Sequence, residues 1–413
     1  VTDKDSAAPA ACRVCGGVLA EFLDLGDQPL SQRFREPGDT SAEYFFRLAV
    51  GQCATCTMVQ RLEEIPPEVQ FPEDYVFTSS SSSSVIEYFA GVADGLLATE
   101  LTGDDPFFVE VGCNDGVMLR NFRDAGVRHL GFEASAQVAA LAAAKDVRVR
   151  AEFFGPEQGK AVAVAEGYAD VIYSANTINC LPDLSPIFLG IDELLAPDGV
   201  FVFEDTYFGD IVEATSFDQI YDEHYYLFSA RSVRAAANRY GFDLVDARRI
   251  PVRGGQMRFT LAREGARRPT PELVALLAEE DERDLTGTAT LHAFAERVAR
   301  IRTDLVGRLT ELKAQGRRVV GYGATAKSVT LLQYCGIGPD LLEFVSDTTP
   351  AKQGKLTPGQ HIPIRSRSAF ADDYPDYALL FAWDHAEVII AKEQEFAERG
   401  GRWLLYVPDV HEV

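Results

Sequence analysis

"FFVEVGCNDG", residues 107–116, decides the fold. A short run of β-branched and aromatic residues enters a turn bounded by Gly112 and Gly116. "VMLRNFRDAG" then reads as a helix closed by Gly126. The alternation continues outward through "HLGFEAS", "QVAALAAA", "ADVIYSAN" (169–176), "IFLGIDELLAPDG" and "VFVFEDT" (200–206). Strands alternating with helices imply a parallel sheet covered on both faces. The fold class is therefore α/β.

The chemistry of the first turn narrows the ligand. A dinucleotide fold usually shows GxGxxG after its first strand. Here Glu110 precedes a GxxxG made by Gly112, Cys113, Asn114, Asp115 and Gly116. An acid at that point disfavours a pyrophosphate but accepts a hydrogen bond from an ammonium, or from water bound to one. S-adenosylmethionine carries an ammonium and no phosphate. Glu133, at the end of the second strand, stands where an acid of such folds takes the ribose hydroxyls. The alternative is that both glutamates are solvated strand ends. Their joint placement around the turn favours a class I methyltransferase, with Gly112, Asn114, Gly116 and Asn176 as further cofactor candidates.

"YDEHYYLFS", residues 221–229, leaves the carboxyl end of "VFVFEDT", where ligands of open α/β sheets bind. Ser229 is the predicted N-cap of a helix bearing Val233, Ala236, Ala237 and Tyr240 on one face, with Gly241 after it. The stretch holds one of only six histidines. Imidazole ordinarily titrates near neutral pH, so His224 is a candidate general base. Glu223 would fix its tautomer or bond a substrate hydroxyl, and Tyr221 would donate to a developing oxyanion. The competing reading is a surface loop whose tyrosines pack on the next domain. His129, His292, His361, His385 and His411 lack comparable neighbours and read as structural or exposed.

Ahead of this unit lie Cys12 and Cys15 in "CRVC", and Cys53 and Cys56 in "CATC". Two CxxC pairs form a common four-thiolate zinc set, closed to water and so structural. The 37 residues between the pairs exceed a zinc ribbon and read as strands and loops. Redox dithiols or chance pairs are the alternatives. Apolar residues are sparse around the cysteines, so the metal is expected to supply much of this unit's folding free energy.

Residues 265–315 read as one or two long linking helices. "RRVVGYGATAKSVTLLQYCG" (317–336) then repeats strand, glycine turn and helix, and Gly321-x-Gly323-x-x-Ala326 fits the dinucleotide fingerprint. Lys327 adds a positive charge, and Asp347 follows a second strand with Lys352 and Lys355 beyond it. Spacing alone fits the diphosphate of a nucleotide-sugar and NADPH evenly, with a vestigial scaffold as a lesser third reading.

The net charge of −24 argues against nucleic acid, and no apolar run reaches the ~20 residues of a membrane span. "VTDKDSAAPAAC" lacks the apolar core of a signal peptide and reads as a short lead-in. Seven cysteines in 413 residues do not make a disulfide scaffold. A reducing cytoplasm and a monomer or weak homodimer are expected. The predicted division is a zinc-binding unit over 1–72, a methyltransferase unit over 73–300 and a Rossmann-like nucleotide-sugar unit over 301–413.

CxxC…CxxC, then ExGxxxG, then "YDEHYY", then "GYGATAK" with D-x-x-x-x-K-x-G-K resembles the sugar C-methyltransferases of antibiotic deoxysugar biosynthesis, over residues 12 to 410. The resemblance implies structural zinc in the first unit and S-adenosylmethionine in the second. It places a dTDP-4-keto-deoxysugar between the second and third. It implies methylation at C-3, with His224 removing the proton that the 4-keto group acidifies, and with Tyr221 and Glu223 lining the sugar. It makes "EDYVFTSSSSSSV" (73–85) the segment entering the sugar site, with Tyr75 as an active-site tyrosine. Relatives often carry another tyrosine just after it, whereas this chain has Phe77, Thr78 and a serine run. Nucleotide contacts fall by the same resemblance on Gly323, Lys327, Asp347 and Lys352. The reading of another class is an NADPH-dependent 4-ketoreductase, alone or together with methyl transfer.

Overall fold

In the computed structural model, residues 10–70, 78–81, 83–250, 252 and 254–413 are described. Strands β1 (Leu19–Pro29), β2 (Phe45–Cys53) and β3 (Val59–Arg61) form an antiparallel ribbon. Strands β4 (Phe107–Val111), β5 (Arg128–Phe132), β6 (Val149–Arg150), β7 (Ala169–Ala175) and β8 (Leu195–Thr206) are parallel. The chain next gives β9 (Tyr226–Leu227) to the first sheet, antiparallel to β3. The hairpin β10 (Phe242–Ile250) and β11 (Gln256–Arg263) completes the second sheet, in order β10-β11-β8-β7-β4-β5-β6. Of these strands only β11 runs against its neighbours.

The strand order reverses at β4, with β5 on one side and β7 on the other. That switch point opens a crevice beyond the carboxyl ends of β4 and β7, where ligands of such sheets bind. All five residues of β4 are buried, as a central parallel strand requires. The helix after the first turn, Leu119–Asp124, ends just before Gly126, whose φ of 73° reverses the chain. Ser229 caps helix Ala230–Asn238, and it shares a reciprocal capping box with Ser232.

The third sheet contains β12 (Val319–Tyr322), β13 (Val345–Ser346), β14 (Ile364–Arg365), β15 (Tyr377–Leu380), β16 (Arg402–Leu405) and β17 (His411–Glu412), in order β14-β13-β12-β15-β16-β17. It has its own switch point, between β12 and β15. The linking segment forms two helices, Pro271–Glu282 and Thr288–Ala314. The second buries Leu291, Phe294, Val298, Ile301, Leu305, Leu309 and Leu312, a stripe at helical spacing.

The expectation that metal would stand in for a core in the first unit needs correction. Leu23, Leu25, Leu48 and Val50 share one apolar cluster with Phe208 of the middle unit, Phe294 of the linking helix and Leu331 of the third. Each fully buried aliphatic side chain contributes about 2 kcal/mol relative to exposure. The ribbon thus borrows a core from its neighbours, and sequence inspection of the unit by itself could not reveal that.

Candidate functional site

The cofactor crevice is built where two loops meet. Gly112 has φ 73°, and a Cβ there would lie 2.3 Å from the Thr177 hydroxyl oxygen, so only glycine lets the two loops close. Gly116 has φ 76°, and a Cβ there would press on Ala142 and Val147. Asn114 also takes a positive φ of 50°; its amide donates to Glu133 Oε2 at 3.0 Å, and its side-chain oxygen accepts from the Ser79 amide at 2.8 Å. The other Glu133 oxygen accepts from the Ser135 amide at 2.9 Å. Glu133 therefore holds the glycine turn in shape while keeping lone pairs for hydroxyls. Asn176, φ 52°, donates its amide to Glu204 O at 2.7 Å and receives Gln256 Nε2 on its side-chain oxygen.

Beneath the turn Glu110 is 3% exposed, and its Oε2 has no hydrogen-bond partner among the described residues. Burial, followed by the like charges of Glu133, Asp115 and Glu204, pushes its carboxyl well above the usual range. A cationic ligand supplies what this group lacks: a donor for Oε2 and a compensating charge. Glu110 and Glu133 are thus two acids beside the glycine turn, a pair of acceptors that suits a cationic ligand such as S-adenosylmethionine.

Residues 218–229 are held from all three parts of the chain. Tyr225 donates its amide to Asn179 O at 2.7 Å, three residues past Asn176 in the β7 loop. Toward the first unit, β9 pairs with β3, and the Arg61 amide donates to Tyr225 O at 3.0 Å. Toward the third, Asp218 Oδ2 accepts from Trp383 Nε1 at 2.8 Å and from Tyr406 Oη at 2.6 Å. Asp218 is fully buried, and desolvation pushes its carboxyl up. His224 is half-buried, with Nδ1 2.8 Å from Gln219 O and its ring centroid 4.1 Å from that of Tyr221. A carbonyl only accepts, so Nδ1 carries the proton and Nε2 the lone pair. The Nδ1 partner is the carbonyl of Gln219, a residue that no sequence pattern marks. Cys180 is half-buried, and its thiol is pushed up by burial first and then by the charge of Glu223. Tyr75 falls outside the described residues.

The four zinc-candidate cysteines converge, their Sγ atoms all within 4.8 Å of one another. Cys12 lies 3.5 Å from Cys56, and Cys15 lies 3.4 Å from Cys53. A tetrahedron with Zn–S bonds of ~2.3 Å has edges of roughly 3.8 Å, so this donor set fits zinc. Each CxxC is followed by a left-handed residue, Gly16 (φ 74°) or Thr57 (φ 60°), which folds both sulfurs inward. A Cβ at Gly17 would lie 3.0 Å from Cys53 Sγ.

The third unit's glycine turn departs from the dinucleotide reading at its first glycine. Gly321 lies inside β12, where a Cβ would collide with the Phe381 ring at 2.4 Å; it serves packing, not the turn. Gly323, φ 91°, makes the turn. Asp347 accepts from the Ala324 and Thr349 amides, both at 2.7 Å. Lys352 Nζ donates to Ala324 O at 2.7 Å and sits 4.9 Å over the Phe34 ring; burial depresses its pKa. Lys327 pairs with Asp384 at 2.9 Å across the switch point. Thr325 caps helix Ala326–Cys335 through the Ser328 amide. The turn thus gathers two cations and a helix N-terminus, a setting for an anion. Among the other histidines, His129 is buried, while His292, His361 and His385 are exposed. Among the described residues no helix is long and apolar enough to cross a membrane.

Fold and site together define an S-adenosylmethionine-dependent methyltransferase carrying a zinc-binding module. Three families match in succession: a zinc binding domain over residues 12–71, a methyltransferase domain over 87–247, and a C-methyltransferase C-terminal domain over 251–408. The chain belongs to the C-methyltransferase family. It is 34% identical over 403 residues to C-methyltransferase NovU of Streptomyces niveus, covering 96% of this chain and 95% of that protein. Solved structures similar to it include the CcbJ methyltransferase of Streptomyces caelestis (16% identity, 43% of this chain and 90% of that one, TM-score 0.34). Another is magnesium protoporphyrin IX methyltransferase of Synechocystis PCC 6803 (13%, 43% and 79%, TM-score 0.32). These comparisons lend no support to NADPH at the third unit's turn.

Proposed function

We propose that this C-methyltransferase acts on C-3 of a dTDP-linked 4-keto-deoxysugar, with His224 as general base. The motif order in the sequence supports the sugar class. The observation that carries the base assignment is the 2.8 Å contact of His224 Nδ1 with Gln219 O, which orients the ring and, in its neutral form, makes Nε2 the basic nitrogen. The division of labour follows units bounded at 72 and 300.

In this reading the sugar lies between the second and third units, with its diphosphate at the Gly323 turn. Lys327, Lys352 and the first amides of helix Ala326–Cys335 neutralise it, and the Asp347 carboxylate braces the turn. His224 Nε2 removes the C-3 proton, and the electron pair passes into the adjacent 4-keto group to give an enolate. Tyr221 donates to the enolate oxygen, Glu223 holds a sugar hydroxyl, and Tyr75 lines the same cavity. Gly112, Asn114, Gly116, Glu133 and Asn176 shape the adenosine side of the crevice, and Glu110 faces the amino-acid end. When bound there, S-adenosylmethionine supplies an electrophilic methyl that C-3 accepts, and leaves as the neutral thioether. His224 then releases its proton to solvent.

Incubation of a dTDP-4-keto-deoxysugar with S-adenosylmethionine, and in parallel with NADPH, tests this. The expected product gains one methyl on C-3 by NMR, in the first arm only. A gain of two hydrogens with NADPH, or a methyl on oxygen or nitrogen, would reject the reading.

A further inference from the structure

Arg61 is 0% exposed, an unusual place for a guanidinium. Its Nη1 donates to Asp222 O and its Nε to Glu63 O at 2.9 Å. Its plane sits 4.0 Å over the Tyr225 ring, and Nη2 finds no partner among the described residues. Gln70 Nε2 shares the Asp222 carbonyl at 2.7 Å, and Gln70 Oε1 accepts from Tyr225 Oη at 2.9 Å. The residues flanking His224 on both sides, 222 and 225, are thus clamped from the first unit. The clamp reaches back to the cysteine cluster. Gln60, beside Arg61, donates Nε2 to Cys12 Sγ at 3.1 Å and accepts from the Arg13 amide at 3.0 Å, while Arg13 Nη1 donates to Arg61 O at 2.5 Å.

We propose that Arg61 is a positioning residue for methyl transfer, through which the cysteine-cluster unit fixes the 222–225 turn and so aims His224. This rests on the reading of His224 as base. The physical case is a costly group whose contacts are directional rather than space-filling. A buried cation loses its hydration, a cost that a well-packed apolar core at the same place would not carry. Burial here depresses the guanidinium's pKa, the sign of that cost. What the guanidinium gives in exchange is direction: two carbonyls and one ring face are held at fixed angles by a single planar group. An apolar side chain would fill the space without orienting the turn. The unit's function would then be to hold the base as much as to hold a metal.

The test is steady-state kinetics joined to amide hydrogen exchange of the full chain. Arg61→Met is expected to lower kcat tenfold or more and to leave KM for S-adenosylmethionine within twofold. It should speed exchange in 221–228 and leave β4 and β7 unchanged. Arg61→Lys should recover part of kcat. Gln70→Leu, which removes the second donor to Asp222 O, should repeat the pattern more weakly, and it decides the matter if Arg61→Met does not fold. Normal kcat in Arg61→Met, or a loss of kcat with 221–228 as protected as before, would overturn the proposal. His224→Asn separates the two readings. If it stays active while Arg61→Met loses kcat and local protection, the base assignment fails and the positioning role stands.

Discussion

His224 Nδ1 lies 2.8 Å from the carbonyl oxygen of Gln219. In the neutral ring, one backbone oxygen thereby places the proton on Nδ1 and makes Nε2 the basic nitrogen. Asparagine at position 224 would keep a donor near Gln219 O and remove the base. His224→Asn should therefore fold and bind both ligands, with kcat down about a hundred- to ten-thousandfold. Calorimetric titration with S-adenosylhomocysteine and dTDP, beside turnover, checks both halves.

Glu110 is expected to make cofactor binding pH-dependent. Its folded-state pKa is raised by burial and then by Glu133, Asp115 and Glu204. The native carboxyl therefore holds its proton where the unfolded one has lost it. The ligand-free protein should lose stability as pH rises from the ordinary carboxylate range through that raised pKa. An ammonium prefers the ionised form, so S-adenosylmethionine affinity should rise over the same window, with proton release on binding. Calorimetry in buffers of different ionisation enthalpy measures that proton. Glu110→Gln should weaken binding and abolish the release.

Removal of metal from the Cys12–Cys15–Cys53–Cys56 cluster should loosen the first unit without unfolding the chain. Isolated zinc modules draw about 10 kcal/mol or more from the metal. Here β1 and β2 share a core with the other two units, which limits the damage. Cys53→Ser should lower zinc content and melting temperature and expose residues 12–61 to protease. S-adenosylmethionine affinity should be little changed.

Lys352 combines burial with a hydrogen bond to the Gly323 turn. A diphosphate would restore the charge that burial disfavours. Lys352→Met should weaken dTDP binding about ten- to a hundredfold, as loss of a charge-assisted hydrogen bond implies. Cofactor affinity should stay constant. Titration of each ligand separately checks this.

What the sequence made legible was local. Glycines at φ 73° and 76° and acids at strand ends stand out because few other residues serve there, so the β4 turn and Glu133 could be placed. The paired CxxC motifs likewise declare themselves. Strand β9 has two residues and no periodicity to read. Arg61 and Gln70 donate to the Asp222 carbonyl and Gln219 offers its own, contacts that leave no side-chain pattern, and the Arg61–Asp222 contact spans 161 positions. The Gly321 fingerprint misled for a related reason. Spacing cannot distinguish a glycine that turns the chain from one that clears room for Phe381.

The most direct test follows the C-3 proton itself. A dTDP-4-keto-deoxysugar held with the protein and S-adenosylhomocysteine in deuterated water should lose its C-3 proton signal by NMR, with no methyl donor present. His224→Asn should leave that signal intact. Wash-out at an unchanged rate in His224→Asn, or an undisturbed C-3 proton in the wild-type protein, would contradict the account.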